Sequence, residues 1–265
     1  MNTESNTVQK HGALKAFDEK LRNKEFCTQI LSRDALKYLA LMLMTFGHWI
    51  FQIYRLIPFK PILRIGLAVE FFAPPVFFFF IAEGYHYTKS KKKYALRLLL
   101  CALITQIPHT LVAEQRTFSM LFLRWSVLMT LFLGLLALIV LHSQWKLPLR
   151  LLAIAGLIGF SRLILAEWYV CGIVLILAFD LLREKPLLRL AVFEVLMFLT
   201  MMYQTMYFPD ARTFLRYYVA PMAAGIVITF FYNGKQGKFP AFSKYFFYIW
   251  YPLHLLLQWL FGLIG

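Results

Sequence analysis

The chain reads as an all-α, polytopic transmembrane helical bundle of about nine spans with its amino terminus in the cytoplasm. Composition is the first reason. Hydrophobic residues make up 60% of the 265 and charged ones only 15%, with a mean hydropathy of +0.64, far from soluble-domain values. Length is the second, because apolar stretches of about twenty residues recur along nearly the whole chain. The third is the distribution of charge. If the spans alternate from an inner amino terminus, twenty of the 28 Lys and Arg fall on the inner side and eight on the outer.

Taken in order, residues 1–35 form a polar, basic cytoplasmic tail without a cleavable signal sequence. Leu14, Phe17, Leu21 and Ile30 recur there at roughly helical spacing, so the tail is either an amphipathic segment on the inner leaflet or a solvated one. From residue 36 a single transmembrane domain runs to 265. Its expected spans are 36–54, 62–82, 94–113, 119–141, 149–165, 167–182, 187–207, 214–232 and 245–264. Breaks are marked by Pro58 with Pro61, by Lys146 to Pro148, by Pro209-Asp210 and by Asn233-Gly234 to Pro240. Pro74-Pro75 is expected to interrupt the second span.

Cys27, Cys101 and Cys171 are far apart, with neither CxxC nor His/Cys spacing, and no metal site is expected. The net charge of +15 is read as topology-setting and lipid-facing, not as a nucleic-acid surface, since no recognition motif accompanies it. Walker, GxGxxG, HExxH and GxSxG motifs are absent, as is any inverted repeat of broken helices.

The informative residues are those that lipid disfavours. His48 follows Gly47 and lies on nearly the helical face of Lys37. At ~1.5 Å per residue it sits about 18 Å from Leu36, in the outer half of its span. It is either a base, nucleophile or ligand, or a packing histidine bonded to a neighbouring helix. His254 shares a face with Tyr248, Tyr251 and Gln258, which reads as a polar seam or a cavity wall. Glu83 and His86 close the second span and Arg97 begins the third. Glu83 with Arg97 would lock a tight inner hairpin as an ion pair. Glu70 and Glu194 also lie at membrane depth, each requiring a partner or a proton.

Several stretches together resemble the TraX family of membrane proteins. Leu36, Lys37, Ala40, Met44 and His48 match its opening helix, and APPVFFFFIAEGYHYT matches an A-F-P…I-A-E-G-Y-x-x-T segment. KYALRLLLCALITQIP, TLFLGLLAL and YPLHLLL, which contains His254, match three more. The family pattern has Asp where Gly47 stands, Gly-Arg at Glu70-Phe71, Asn at Ser126, and D-Y-G near Glu167-Trp168-Tyr169. The resemblance implies a bacterial inner-membrane protein of conjugal or fimbrial assembly that acetylates a pilin amino terminus. In that reading the donor is acetyl-CoA and the partners are membrane lipid and a pilin or other fimbrial subunit. His48 would be the general base and His254, with Tyr251 and Gln258, would orient a substrate. Glu83 and Arg97 would hold the hairpin or meet the donor's phosphates. The alternative is a non-catalytic fimbrial assembly factor.

Overall fold

The computed structural model describes residues 2–53, 65–66, 68–112, 123–207 and 211–262. Arg55, Lys60, Arg64, Arg116 and the turns at Pro58, Pro61 and Pro209-Asp210 lie outside them. Among the described residues the chain is helical, without a strand; one isolated bridge joins Leu31 to Tyr232. Helix α1 spans Asn2–Asn23 and α2 Arg33–Ile53; a 3-10 turn at Glu70–Phe72 leads into α3, Ala73–Tyr87. Then come α4 (Lys91–Val112), α5 (Val127–Leu141), α6 (Leu147–Leu163), α7 (Tyr169–Leu181) and α8 (Pro186–Tyr207). A short α9 (Ala211–Phe214) passes through a π turn, Leu215–Val219, into α10 (Ala220–Phe230), and α11 spans Pro240–Gly262.

Helix α3 is the axis of the bundle. Its FFFFIA run is apolar all round, so it buries on every side: Ala73, Pro75, Val76, Phe78, Phe79, Phe80, Ile81 and Ala82 are all inaccessible. It packs against α2, α5, α7 and α10, while α4 and α11 pair beside them and α8 closes against α7 and α10. Gly172 lets α7 approach closely, since a Cβ there would stand 2.5 Å from Thr130 and 3.0 Å from Phe78. Helix α6 is peripheral; Leu149, Leu152, Phe160 and Leu163 are exposed apolar groups on its surface. Helices α4 and α8 contain segments long and apolar enough to cross a bilayer.

The helical path is interrupted, as expected, at Pro74 and Pro75, where the 3-10 turn Glu70–Phe72 gives way to α3. The two prolines occupy the first turn of α3, where the missing N–H groups would have had no intrahelical partner. The boundary expected near Ser161-Arg162 falls slightly later, in the turn between Leu163 and Tyr169.

End-to-end contacts set the helix directions. Tyr38 donates to Ser243 at 3.1 Å, so α2 and α11 start together. Tyr232 donates to Glu83 at 2.7 Å, joining the ends of α3 and α10. Asp180 meets both His86 and His142, which brings the ends of α3, α5 and α7 together. The bundle therefore has a proximal end, where α2, α4 and α11 begin, and a distal end, where α3, α5, α7 and the π turn begin. Helix α1 docks at the proximal end. Leu21 is buried there, and Asp18 accepts a 2.8 Å hydrogen bond from the Leu187 amide at the start of α8.

Candidate functional site

At the distal end α2 and α11 bring the two predicted histidines into contact. His48 Nδ1 and His254 Nε2 are 3.1 Å apart, with the rings stacked at 5.3 Å and 14°. The hydrogen-bond chain dictates the tautomers of the neutral pair. The Trp250 carbonyl, 3.1 Å from His254 Nδ1, can only accept, so that nitrogen carries the proton. His254 Nε2 is then the acceptor and His48 Nδ1–H the donor. His48 Nε2 keeps its lone pair and faces the carboxylate of Glu70, whose Oε2 is 3.9 Å away.

Each neighbour holds this arrangement. Gln258 donates to the His48 carbonyl at 3.1 Å, and Tyr251 sets its ring edge-on to His254 at 5.3 Å. His254 is fully buried, and Gln258 and Tyr251 nearly so. Glu70 is anchored by Arg216 of the π turn, Nη2 to Oε1 at 2.9 Å. Gly47 makes room for it, because a Cβ there would lie 2.5 Å from Glu70 Cβ and 2.9 Å from both its Oε2 and the Gly66 carbonyl. The carboxylate beside His48 therefore comes from the 3-10 turn that leads into α3, in the space that Gly47 leaves open.

The histidine and carboxylate open on a cavity of about 910 Å³, lined also by Phe71, His109, Arg124, Glu167, Trp168 and Tyr217. Glu167 forms a second His–carboxylate pair there, Oε1 to His109 Nε2 at 3.2 Å, while its Oε2 accepts the Val127 amide at 2.9 Å. Thr130 also donates to the Glu167 carbonyl. Arg124, Leu165 and Trp168 adopt positive φ (59°, 51° and 62°), and all three line this cavity. Left-handed backbone at bulky residues costs about 1–3 kcal/mol each and clusters where a surface must be shaped.

A second cavity, about 600 Å³, opens towards the proximal end between α2, α3, α4 and α11. Its wall carries Arg33, Lys37, Lys89, Lys93 and Arg97, with Asp34 the sole acidic residue among them. The ammonium of Lys37 lies 4.9 Å over the Phe80 ring and 5.6 Å from that of Phe247. Val127 and Tyr251 line both cavities, so the two chambers meet at these side chains.

The expected Glu83–Arg97 pair does not form. Glu83 turns instead to the Tyr232 hydroxyl on α10. Arg97 stacks near Tyr94, 5.8 Å from its centroid, and leaves its Nε buried with no protein acceptor. Spacing of fourteen residues across a hairpin could not say that α10 would supply a closer partner. Nor does His86 share Glu83's environment, since it bonds Asp180 at 2.6 Å. Glu194 has both carboxylate oxygens buried without a protein partner, against Gly225.

Four residues were missed in sequence. Arg216 counts only among the eight outer cations, Glu167 only within the Glu167-Trp168-Tyr169 segment, and His109 and Asp180 carry no reading. The IPHT and AEWY stretches each place an ionisable group at the rim of an apolar run, which was the available signal.

No solved structure matches the chain. A curated relative, the probable fimbrial assembly protein FimC, serogroup H1, of Dichelobacter nodosus, is 27% identical over 235 residues, covering 84% of this chain and 88% of its own. The family model described as TraX protein matches residues 32–262, which takes in the histidine pair, both chambers and every helix but α1. The chain belongs to the TraX family.

Proposed function

We propose that the protein is a multi-pass membrane acyltransferase of fimbria or pilus biogenesis, moving an acetyl group from acetyl-CoA to a pilin or similar subunit. The observation that carries this reading is the relay from the Trp250 carbonyl through His254 to His48, which leaves His48 Nε2 unprotonated at a cavity wall. A base so held accepts the proton of an attacking amine or hydroxyl as its nitrogen or oxygen bonds to an acyl carbonyl, and would pass it to the thiolate released when the thioester C–S bond breaks. Glu70, 3.9 Å from that nitrogen and paired with Arg216, steadies the imidazolium that results. His254 keeps the imidazole in the reactive tautomer without itself changing charge.

The residues of the second chamber fit a phosphate-bearing donor. Arg97 Nε is buried without an acceptor, and Arg33, Lys37, Lys89 and Lys93 surround the same space. Such a donor supplies an activated acetyl carbonyl. Tyr251 and Val127, common to both chambers, mark where the acyl end would reach the distal one. Nine helices of the described chain, α2 to α8 with α10 and α11, would cross the inner membrane, the basic chamber facing the cytoplasm. Residues 1–35 would then be the cytoplasmic segment.

Intact mass spectrometry of the organism's pilin, with and without this gene, tests the reading: an acetyl mass difference that depends on the gene supports it. A second reading, a non-catalytic fimbrial assembly factor, draws on the likeness to the probable fimbrial assembly protein FimC. It prevails if fimbriae require the protein and the mass of the pilin does not change.

A further inference from the structure

At the proximal end, away from the His48 chamber, three polar side chains converge from three parallel helices. His86 Nε2 lies 2.6 Å from Asp180 Oδ1, and His142 Nε2 lies 2.7 Å from Asp180 Oδ2. One ligand atom from each of the three residues lies within 4.8 Å of the other two. They are distant in sequence, 94 and 38 positions from Asp180, so no spacing motif announces them.

The electrostatics of the spot are the second observation. His86 is in the last turn of α3, His142 is the C-cap of α5 and Asp180 is in the last turn of α7. Three helix C-termini, each with roughly half a negative charge, therefore meet around a carboxylate that is only 2% exposed. A buried anion at a negative pole is costly unless a cation compensates it. Among the described residues no lysine or arginine is in ion-pair range of Asp180; the two imidazoles are its partners. Lys91, the cation beside this cluster, is engaged elsewhere, donating to the Tyr85 and Thr88 carbonyls. Tyr85 stacks on His142 at 5.1 Å and stands edge-on to His86 at 5.4 Å, which orients both rings.

We propose that His86, His142 and Asp180 form a site for a borderline divalent cation of the Zn²⁺ type, which ties the ends of α3, α5 and α7 together. Two imidazoles with one carboxylate match the three-ligand sets of zinc with one open position, and disfavour the hard, oxygen-seeking Ca²⁺ and Mg²⁺. Metal–ligand bonds of about 2.0–2.1 Å need the nitrogens to stand somewhat farther from the carboxylate than they do. Both histidines are exposed and Asp180 is buried, so it is the imidazoles that would shift outward to admit the ion. On binding, each Nε2 gives up its proton to Nδ1 and presents a lone pair to the ion.

The test uses the full chain, purified in detergent without a histidine tag and stripped with chelator. Co²⁺ is the probe, because a four- or five-coordinate site shows in its visible spectrum. One Co²⁺ per chain is expected, displaced by Zn²⁺, with Zn²⁺ raising the melting temperature. His86→Gln and His142→Gln, both at exposed positions, should each weaken binding by more than about tenfold, the scale on which even supporting residues of metal sites act. His48→Gln should leave the stoichiometry unchanged. The proposal is overturned if the parent binds no Co²⁺, or if the His86→Gln/His142→Gln double variant binds it as tightly as the parent does. A melting temperature that Zn²⁺ raises equally in parent and double variant would also overturn it.

Discussion

A pair of histidines in mutual or bridged contact stands at each end of the bundle, and the two pairs are built in opposite ways. The distal pair is direct: His48 bonds His254, the chain of donors ends on a backbone carbonyl, and the carboxylate stands off at 3.9 Å. The proximal pair is bridged, with His86 and His142 both aimed at Asp180 at 2.6 and 2.7 Å. What differs is the fate of the Nε2 lone pair. At the proximal end the carboxylate takes both Nε2 atoms as donors, so the lone pair of each neutral ring sits on Nδ1 instead. A neutral acceptor behind the first ring frees the reactive nitrogen of the second. On the acyltransferase reading, proton transfer belongs to the distal pair, and on the metal-site proposal, ligation belongs to the proximal one.

The largest effect that would break this contrast is chemical. On the acyltransferase reading, His48→Ala should lower acceptor acetylation by about 100- to 10,000-fold at matched membrane protein levels, the usual range for a lost general base. His86→Ala should leave it within a few fold. Mass spectrometry of the acceptor reads both, and equal losses at the two ends would erase the functional distinction.

Next comes the ion pair behind the distal site. Arg216→Gln strands the Glu70 carboxylate, which is 13% exposed. Breaking a buried pair costs about 3–5 kcal/mol, and with Arg216 a third exposed about 2–3 kcal/mol is expected. Glu70→Gln in the same chain should restore most of that stability but not the activity. If the double variant is no more stable than Arg216→Gln alone, Glu70 is not balanced by Arg216.

The bundle was legible because its causes are local. Spans come from runs of apolar residues, and the FFFFIA run that is apolar all round became the axial helix. His48 and His254 were legible one at a time, as polar groups in apolar helices. Their bond was not, because it depends on α2 and α11 running parallel over 206 residues of separation. Glu83 shows the converse failure. Nearness along the chain favoured Arg97, yet tertiary packing offered Tyr232, 149 positions away. Asp180 carries no signal in sequence, and only the convergence of three helix ends makes it part of a cluster.

Gly47 tests whether the carboxylate's new location is obligatory. Gly47→Ala drives a methyl into Glu70 Cβ and the Gly66 carbonyl, neither of which is a flexible tip. Overpacking of this kind costs about 1–3 kcal/mol and should move Glu70 away from His48. Gly47→Asp, which restores the family residue, should be worse than Ala while Glu70 remains. A parent-like melting temperature for Gly47→Asp would mean that the two carboxylate positions are compatible.

The smallest effect belongs to the proximal end and asks whether α1 is part of the bundle or merely lies against it. Asp18 accepts the Leu187 amide at 2.8 Å, one of the first-turn donors of α8 that no helical carbonyl can reach. Pro186 just before it has no N–H to satisfy, so this single bond supplies much of the cap. The carboxylate also stands at the positive pole of the α8 dipole. Asp18→Ala should therefore cost about 0.5–2 kcal/mol, the range for a lost cap, and Asp18→Asn distinctly less, since an amide oxygen still accepts. Leu21 stays buried in either variant, so global unfolding is not expected. The readout is hydrogen exchange: amides of α1 and the first turn of α8 should lose protection together in Asp18→Ala, while those around His48 keep theirs. If α1 exchanges freely in the parent chain as well, the Asp18 contact contributes nothing, and the proximal end is organised by α3, α5 and α7 alone.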